Sequence, residues 1–278
     1  MTANESSERP FESTEHIRAG LELIERETPC DISLAAKDLD TGDAILFHAD
    51  RRVKTASVIK FPMLIHVATA VSRGELSWEE LLTLRAEEKV DGSGVLTQLT
   101  AGITLSLRDI CVLMMVLSDN TATNMVIERL GTAPINATIA ALGCPGTVVF
   151  RKSYSPDTPE SAEFGLGSTT PADQISLLER VARGEIGSLE ESGNVEKMLE
   201  AQQYRDCIPR YLPEEWKYAG KTGSIDGVRN DVGLITTPAG RRFALAIFCQ
   251  NLTDLRWTAD NAGHIACARA ARLLLLGN

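Results

Sequence analysis

Ser57-Val58-Ile59-Lys60 is the stretch on which the reading of this chain turns. It is a Ser-x-x-Lys tetrad that opens a helix-like apolar run, and residues three apart share a helix face. A helix beginning at Ser57 sets the Lys60 amine one turn along, beside the Ser57 hydroxyl. A serine hydroxyl is a weak nucleophile until a base takes its proton. The helix N-terminus adds backbone N–H groups and positive dipole at the same place. Pro62 falls just past the first turn, where it costs at most one helical hydrogen bond.

Two more motifs follow in order. Ser118-Asp119-Asn120 comes after the apolar run Cys111 to Leu117 and before another helical pattern, which puts it at a helix–helix corner. A hydroxyl there suits proton relay to a leaving nitrogen, and an amide side chain suits holding a substrate amide. Lys221-Thr222-Gly223-Ser224 follows a strand pattern. Gly223 lets a ligand approach the strand backbone closely, and Lys221, Thr222 and Ser224 make a cationic, hydroxyl-rich wall suited to a carboxylate. A lysine base needs a depressed pKa, which desolvation and a neighbouring cation supply; Lys221 is that cation. Alone, each motif reads as an ordinary helix start, cap or turn. All three together, each in its expected setting, indicate serine acyl transfer.

Working outward, the 278 residues suffice for one large domain or two packed lobes. The formal charge of −10 argues against a nucleic-acid backbone or an anionic membrane as partner, and a small molecule is expected instead. Six cysteines show no zinc-like spacing, and most lie in apolar stretches that predict buried free thiols. The four histidines show no metal-ligand spacing, so neither metal nor cofactor is expected. No basic n-region or apolar h-region opens the chain, which predicts a cytoplasmic location for the sequence as it stands. A monomer is expected.

Residues 1–13 read as a loose arm. Thr14 to Glu27 has Ile17, Leu21 and Ile24 at helical spacing, with Ser13 or Thr14 as cap. Asp31 to Leu39 and Ala44 to His48 read as a hairpin around Asp40-Thr41-Gly42-Asp43. Helices are predicted over 59–72, 106–117, 121–130, 171–183 and 195–203. Strands return at 216–219, 231–235 and 243–248, then a helix over 260–276. The predicted fold is α/β (α+β): an antiparallel sheet flanked by N- and C-terminal helices, from 14–56 and 212–278, with an inserted all-helical lobe over 57–211. The site lies between the lobes.

With these residues in view, the chain resembles the penicillin-recognising serine hydrolases, and among them the class A β-lactamases. The likeness extends to Asp38–Ala49, Gly92-Ser93-Gly94-Val95-Leu96, Leu107–Gly131 and Thr169-Thr170-Pro171-Ala172-Asp173. It implies Ser57 as acylated nucleophile, Lys60 as proton acceptor, Ser118 as relay, Asn120 as holder of the substrate amide and Lys221 as electrostatic partner. It also implies an oxyanion hole from the backbone N–H groups of Ser57 and Ser224, and a substrate carboxylate held by Thr222 and Ser224. Arg229 resembles the extra guanidinium that some members aim at that carboxylate; alternatively it is a surface turn arginine.

One departure matters. Class A members carry a deacylating glutamate in a Glu-x-x-Leu-Asn segment, and 151–167 has none. Without gaps that glutamate falls near Tyr154. Glu160, Glu163 and Asp157 are the local carboxylates. The expectation is therefore a β-lactamase homologue with slow deacylation. A D,D-peptidase or small-ester hydrolase, recognising an acyl-D-Ala-type amide or ester, is the second reading. A penicillin-binding sensor that stays acylated is the third.

Overall fold

The computed structural model describes residues 14–277; the arm over 1–13 and the Ser13 cap lie outside the described residues. The chain runs α1 (Thr14–Glu27), β1 (Asp31–Asp38), β2 (Ala44–Phe47), β3 (Val53–Lys54), a 3-10 turn (Ala56–Ile59), α2 (Lys60–Ser72), β4 (Leu81–Thr83), β5 (Thr104–Ser106) and α3 (Leu107–Val116). It continues through α4 (Asn120–Leu130), α5 (Thr132–Ala141), β6 (Val148–Val149), α6 (Pro159–Phe164), β7 (Gly167–Thr169), α7 (Pro171–Ala182) and α8 (Leu189–Glu200). A further 3-10 turn (Ile208–Tyr211), β8 (Lys217–Ile225), β9 (Val228–Thr236), β10 (Arg242–Gln250) and α9 (Ala262–Leu276) close it.

The main sheet is antiparallel in the order β2-β1-β10-β9-β8, so both chain ends build it. Its central strand shows why. Along β10, Phe243, Leu245, Ile247 and Cys249 pack into a core with α1 and α9. Ala244, Ala246 and Phe248 enter a second core with α2, α3, α7 and α8. A strand covered on both faces reads as a continuous apolar run rather than an alternating one. Each large side chain so buried contributes about 1.5–3 kcal/mol.

α2 lies inside the second core and is buried without a break from Lys60 to Ala70. The 57–211 span is chiefly helical, and it also holds two small ribbons, β4–β5 and β6–β7, the latter joined to β3. Their strands are two or three residues long, too short to show a period of two. The six cysteines are all free, and five are buried. Among the described residues no helix is long and apolar enough to cross a membrane.

Candidate active site

Ser57 sits in the 3-10 turn that feeds α2, and the turn is held from three sides. Asn230 on β9 donates its Nδ2 to the Lys54 and Thr55 carbonyls at 2.8 and 3.2 Å. Gln250 on β10 orients Asn230, donating to its Oδ1 at 2.8 Å. Thr55 donates both its backbone N–H and its hydroxyl to the Gly167 carbonyl, at 3.2 and 2.9 Å. Ala56 is driven to φ +46, a left-handed setting that disfavours a Cβ and persists only where its surroundings enforce it.

Gly223 on β8 lies against this turn. A Cβ there would stand 2.5 Å from the Thr55 carbonyl oxygen, 2.9 Å from the Val58 nitrogen and 3.0 Å from the Ser57 nitrogen. The bareness ascribed to ligand approach thus admits the chain's own Ser57 turn to the strand. The contact sets the Ser57 N–H beside β8, next to Ser224.

Ser118 occupies the corner between α3 and α4 at φ +56. Asp119 caps α4, accepting from Ala122 N–H at 2.9 Å, and its other oxygen accepts from Val95 and Leu96 N–H at 2.7 and 2.9 Å. The corner is thereby tied to the 92–96 loop. Asn120 donates Nδ2 to the Asp91 carbonyl at 3.1 Å.

The two lysines converge on Ser118. Lys60 Nζ lies 2.6 Å from the Ser118 carbonyl oxygen, 2.9 Å from Asn120 Oδ1 and 3.1 Å from Ser118 Oγ. Lys221 Nζ donates to the Thr222 carbonyl at 2.7 Å and lies 3.1 Å from the same Ser118 Oγ. Both lysines are fully buried. Burial, and then repulsion from Lys221, hold the Lys60 amine well below its ordinary value, against the attraction of Asp119. Burial pushes Lys221 down to about 7, opposed by Asp231. A neutral amine has two N–H groups and one lone pair. In its neutral form the Lys60 amine would give its two N–H groups to the Ser118 carbonyl and Asn120 Oδ1 and keep its lone pair for a hydroxyl. Ser57 Oγ makes no hydrogen bond among the described residues; Lys60 is engaged with Ser118 and Asn120.

Ser57 borders two adjoining cavities. The smaller, about 300 Å³, is walled by Ser118, Thr222, Ser224 and Arg229. Arg229 is no surface residue: it is fully buried. It donates to the Ile225, Val228 and Arg256 carbonyls at 2.7–2.8 Å and lies over the Trp257 ring at 4.9 Å. Its Nε has no partner among the described residues. The larger cavity, about 840 Å³, is bordered by Asn120 and by the 151–155 and 164–166 segments.

No carboxylate of the 151–167 loop borders either cavity. Glu160 and Glu163 lie exposed on α6. Asp157 pairs with Arg151 at 2.9 Å. Tyr154 is 66% exposed. The loop residue that turns inward is Ser153, which the sequence reading did not single out. Asn124 on α4 clamps its backbone, donating to its carbonyl at 3.0 Å and accepting from its N–H at 2.8 Å. Ser153 is 5% exposed, borders the larger cavity, and its hydroxyl has no partner among the described residues. A loop serine carries no sequence signature; Asn124, four residues past Asn120, is the one cue.

The family model described as the beta-lactamase enzyme family matches residues 15–276. This chain belongs to the β-lactamase enzyme family. The resemblance read from the three motifs and the further stretches of the chain is borne out over nearly its whole length. A solved β-lactamase of Sphaerobacter thermophilus is 35% identical, with a TM-score of 0.84 over 94% of this chain and 95% of that one. A β-lactamase of Streptomyces fradiae is 26% identical over 266 residues, 93% of this chain and 85% of its own. PBP-A, solved as a point mutant in an acyl-enzyme complex with penicillin G, is 27% identical with a TM-score of 0.84 over 96% of both chains. The α/β architecture with its antiparallel sheet is that of these family members.

Proposed function

We propose that this protein is a serine hydrolase that opens β-lactams through an acyl-enzyme on Ser57, and that the acyl-enzyme is released slowly. The observation that carries the reading is the buried Lys60 amine, whose two N–H groups have carbonyl-type acceptors. Its lone pair takes the Ser57 proton as Oγ attacks the lactam carbonyl. The Ser57 and Ser224 N–H groups hold the developing oxyanion; one such donor is worth about 2.7–4 kcal/mol. As the C–N bond breaks, Ser118 passes a proton to the lactam nitrogen. Ser118 Oγ lies 3.1 Å from both lysine amines, a position suited to that relay. Thr222, Ser224 and Arg229 hold the substrate carboxylate at the smaller cavity, and Asn120 holds the acyl-side amide.

Slow release follows from the loop. Hydrolysis of the ester needs a water activated by a base, and the loop segments bordering the larger cavity, 151–155 and 164–166, bring no carboxylate to it. This same feature favours a second reading, a D,D-peptidase or penicillin-binding protein whose natural acyl-enzyme resolves by another route. Intact-protein mass spectrometry during incubation with a penicillin, with turnover followed in parallel, tests the reading. An adduct that accumulates ahead of slow turnover is expected. Fast turnover with no detectable adduct refutes slow release, and neither adduct nor turnover refutes β-lactams as substrates.

A further inference from the structure

In the core between the sheet and α9, three ligand-type side chains meet that the proposed chemistry does not use. Cys207 immediately precedes the 3-10 turn Ile208–Tyr211, Asp231 lies mid-strand in β9, and Cys267 lies in α9. All three are buried, and one ligand atom of each lies within 4.8 Å of the others. Three points that close share a centre no more than about 2.8 Å from each. Zinc–sulfur and zinc–carboxylate bonds are about 2.3 and 2.0–2.2 Å, so an inward shift on the order of half an ångström closes the set.

The surroundings suit a ligating carboxylate. Asp231 Oδ1 accepts from the Tyr218 hydroxyl at 2.5 Å, and Oδ2 accepts from the Ile208 N–H at 3.0 Å. A carboxylate offers about four lone-pair sites, so both oxygens keep capacity for an ion. The Ile208 bond also fixes the backbone next to Cys207. The two thiol sulfurs lie within 4.8 Å of each other. Cys207 borders the smaller cavity, which gives an entry path and room for a fourth, non-protein ligand.

We propose that Cys207, Asp231 and Cys267 form a binding site for a thiophilic divalent cation of the Zn²⁺ or Cd²⁺ type. Two sulfur ligands select such ions over Mg²⁺ or Ca²⁺, which take oxygen. The ligands bind deprotonated. Each ion therefore displaces to solvent the two thiol protons and any proton on Asp231, and affinity rises with pH. The site lies directly behind the Lys221–Gly223 strand, since Asp231 pairs with Thr222 across the β8–β9 ladder. Widely separated ligands on three elements leave no spacing signature in the sequence.

The test uses full-length protein, reduced and stripped with chelator, titrated with Cd²⁺ and with Zn²⁺. Native mass spectrometry counts ions, and the ultraviolet thiolate-to-cadmium band reports sulfur ligation. One ion per chain is expected. Cys207→Ser and Cys267→Ser should each lose both the ion and the band, whereas Cys30→Ser keeps them. Tyr218→Phe, which frees the ligating carboxylate from its partner, should weaken binding about 10–100-fold. No ion on the wild-type protein, an ion retained in both cluster variants, or loss in Cys30→Ser overturns the proposal. Should a serine variant fail to fold, proton release from the wild-type protein decides: two or more protons per Cd²⁺ support the site and none overturns it.

Discussion

Replacing Ser153 by glutamate should convert slow release into turnover. The backbone at 153 is fixed by both bonds to the Asn124 amide, so a longer side chain starts from the same anchor at the border of the cavity of about 840 Å³ that Ser57 also lines. Positioned general-base catalysis contributes on the order of 100- to 10,000-fold. At 1.36 kcal/mol per decade that is about 2.7–5.4 kcal/mol off the deacylation barrier. Burial disfavours the carboxylate's charged form. Arg151, which borders the same cavity with an unpartnered Nε, offsets part of that cost. The rate of release should therefore rise with pH and level off once the new carboxylate is ionised. The assay mixes enzyme with a penicillin, removes excess drug, and follows decay of the acyl mass. A lifetime shortened by at least 100-fold with unchanged acylation is predicted. An unchanged lifetime in a folded variant would refute the reasoning that a carboxylate at position 153 reaches the acyl ester across the shared cavity.

Three other perturbations bear on the same frame. Lys60→Ala should slow acylation by about 100- to 10,000-fold while the protein stays folded, read as the rate of adduct formation; near-normal acylation removes Lys60 from the base role. Gly223→Ala should cost at least about 1–3 kcal/mol in a urea titration and depress acylation, because the new methyl meets backbone rather than a movable side chain. Asp231 is pushed up to about 7 by burial, from 3.8. The folded chain thus binds a proton that the unfolded chain releases between those values, and stability falls as pH rises through that window. Lys221 acts in the opposite sense: lowered from 10.5 to about 7 by burial, it makes stability recover as pH rises from about 7 toward 10.5. Asp231→Asn should abolish the acid-side fall and keep the alkaline-side rise, measured as melting temperature against pH in chelator; a persisting acid-side fall assigns it to another group.

The sequence announced the sheet lobe and the three motifs because both follow local rules. The apolar runs of β9 and β10, the helical spacing in α1 and the Thr170-Pro171 start of α7 each carry their own signal. Other elements lack one. α5 follows Gly131, has no side-chain cap and contains Pro134, so its pattern is weak. α6 is six residues long, too short to show a helical period, although Thr158 and Ser161 cap it reciprocally. α8 starts at Leu189, ahead of the expected 195, because Ser188 caps it where apolar periodicity is poor. At the site, residue types were legible and contacts were not. The convergence of Lys60 and Lys221 on one hydroxyl, the inward turn of Ser153 and the meeting of Cys207, Asp231 and Cys267 all join residues distant in sequence.

The account rests most heavily on Ser57 as the acylated atom. Protein trapped with a penicillin, digested and mapped by tandem mass spectrometry, addresses this directly. The acyl mass should fall on the peptide containing Ser57 and vanish in Ser57→Ala. An adduct on Ser118 or any other residue, or one that survives Ser57→Ala, would contradict it.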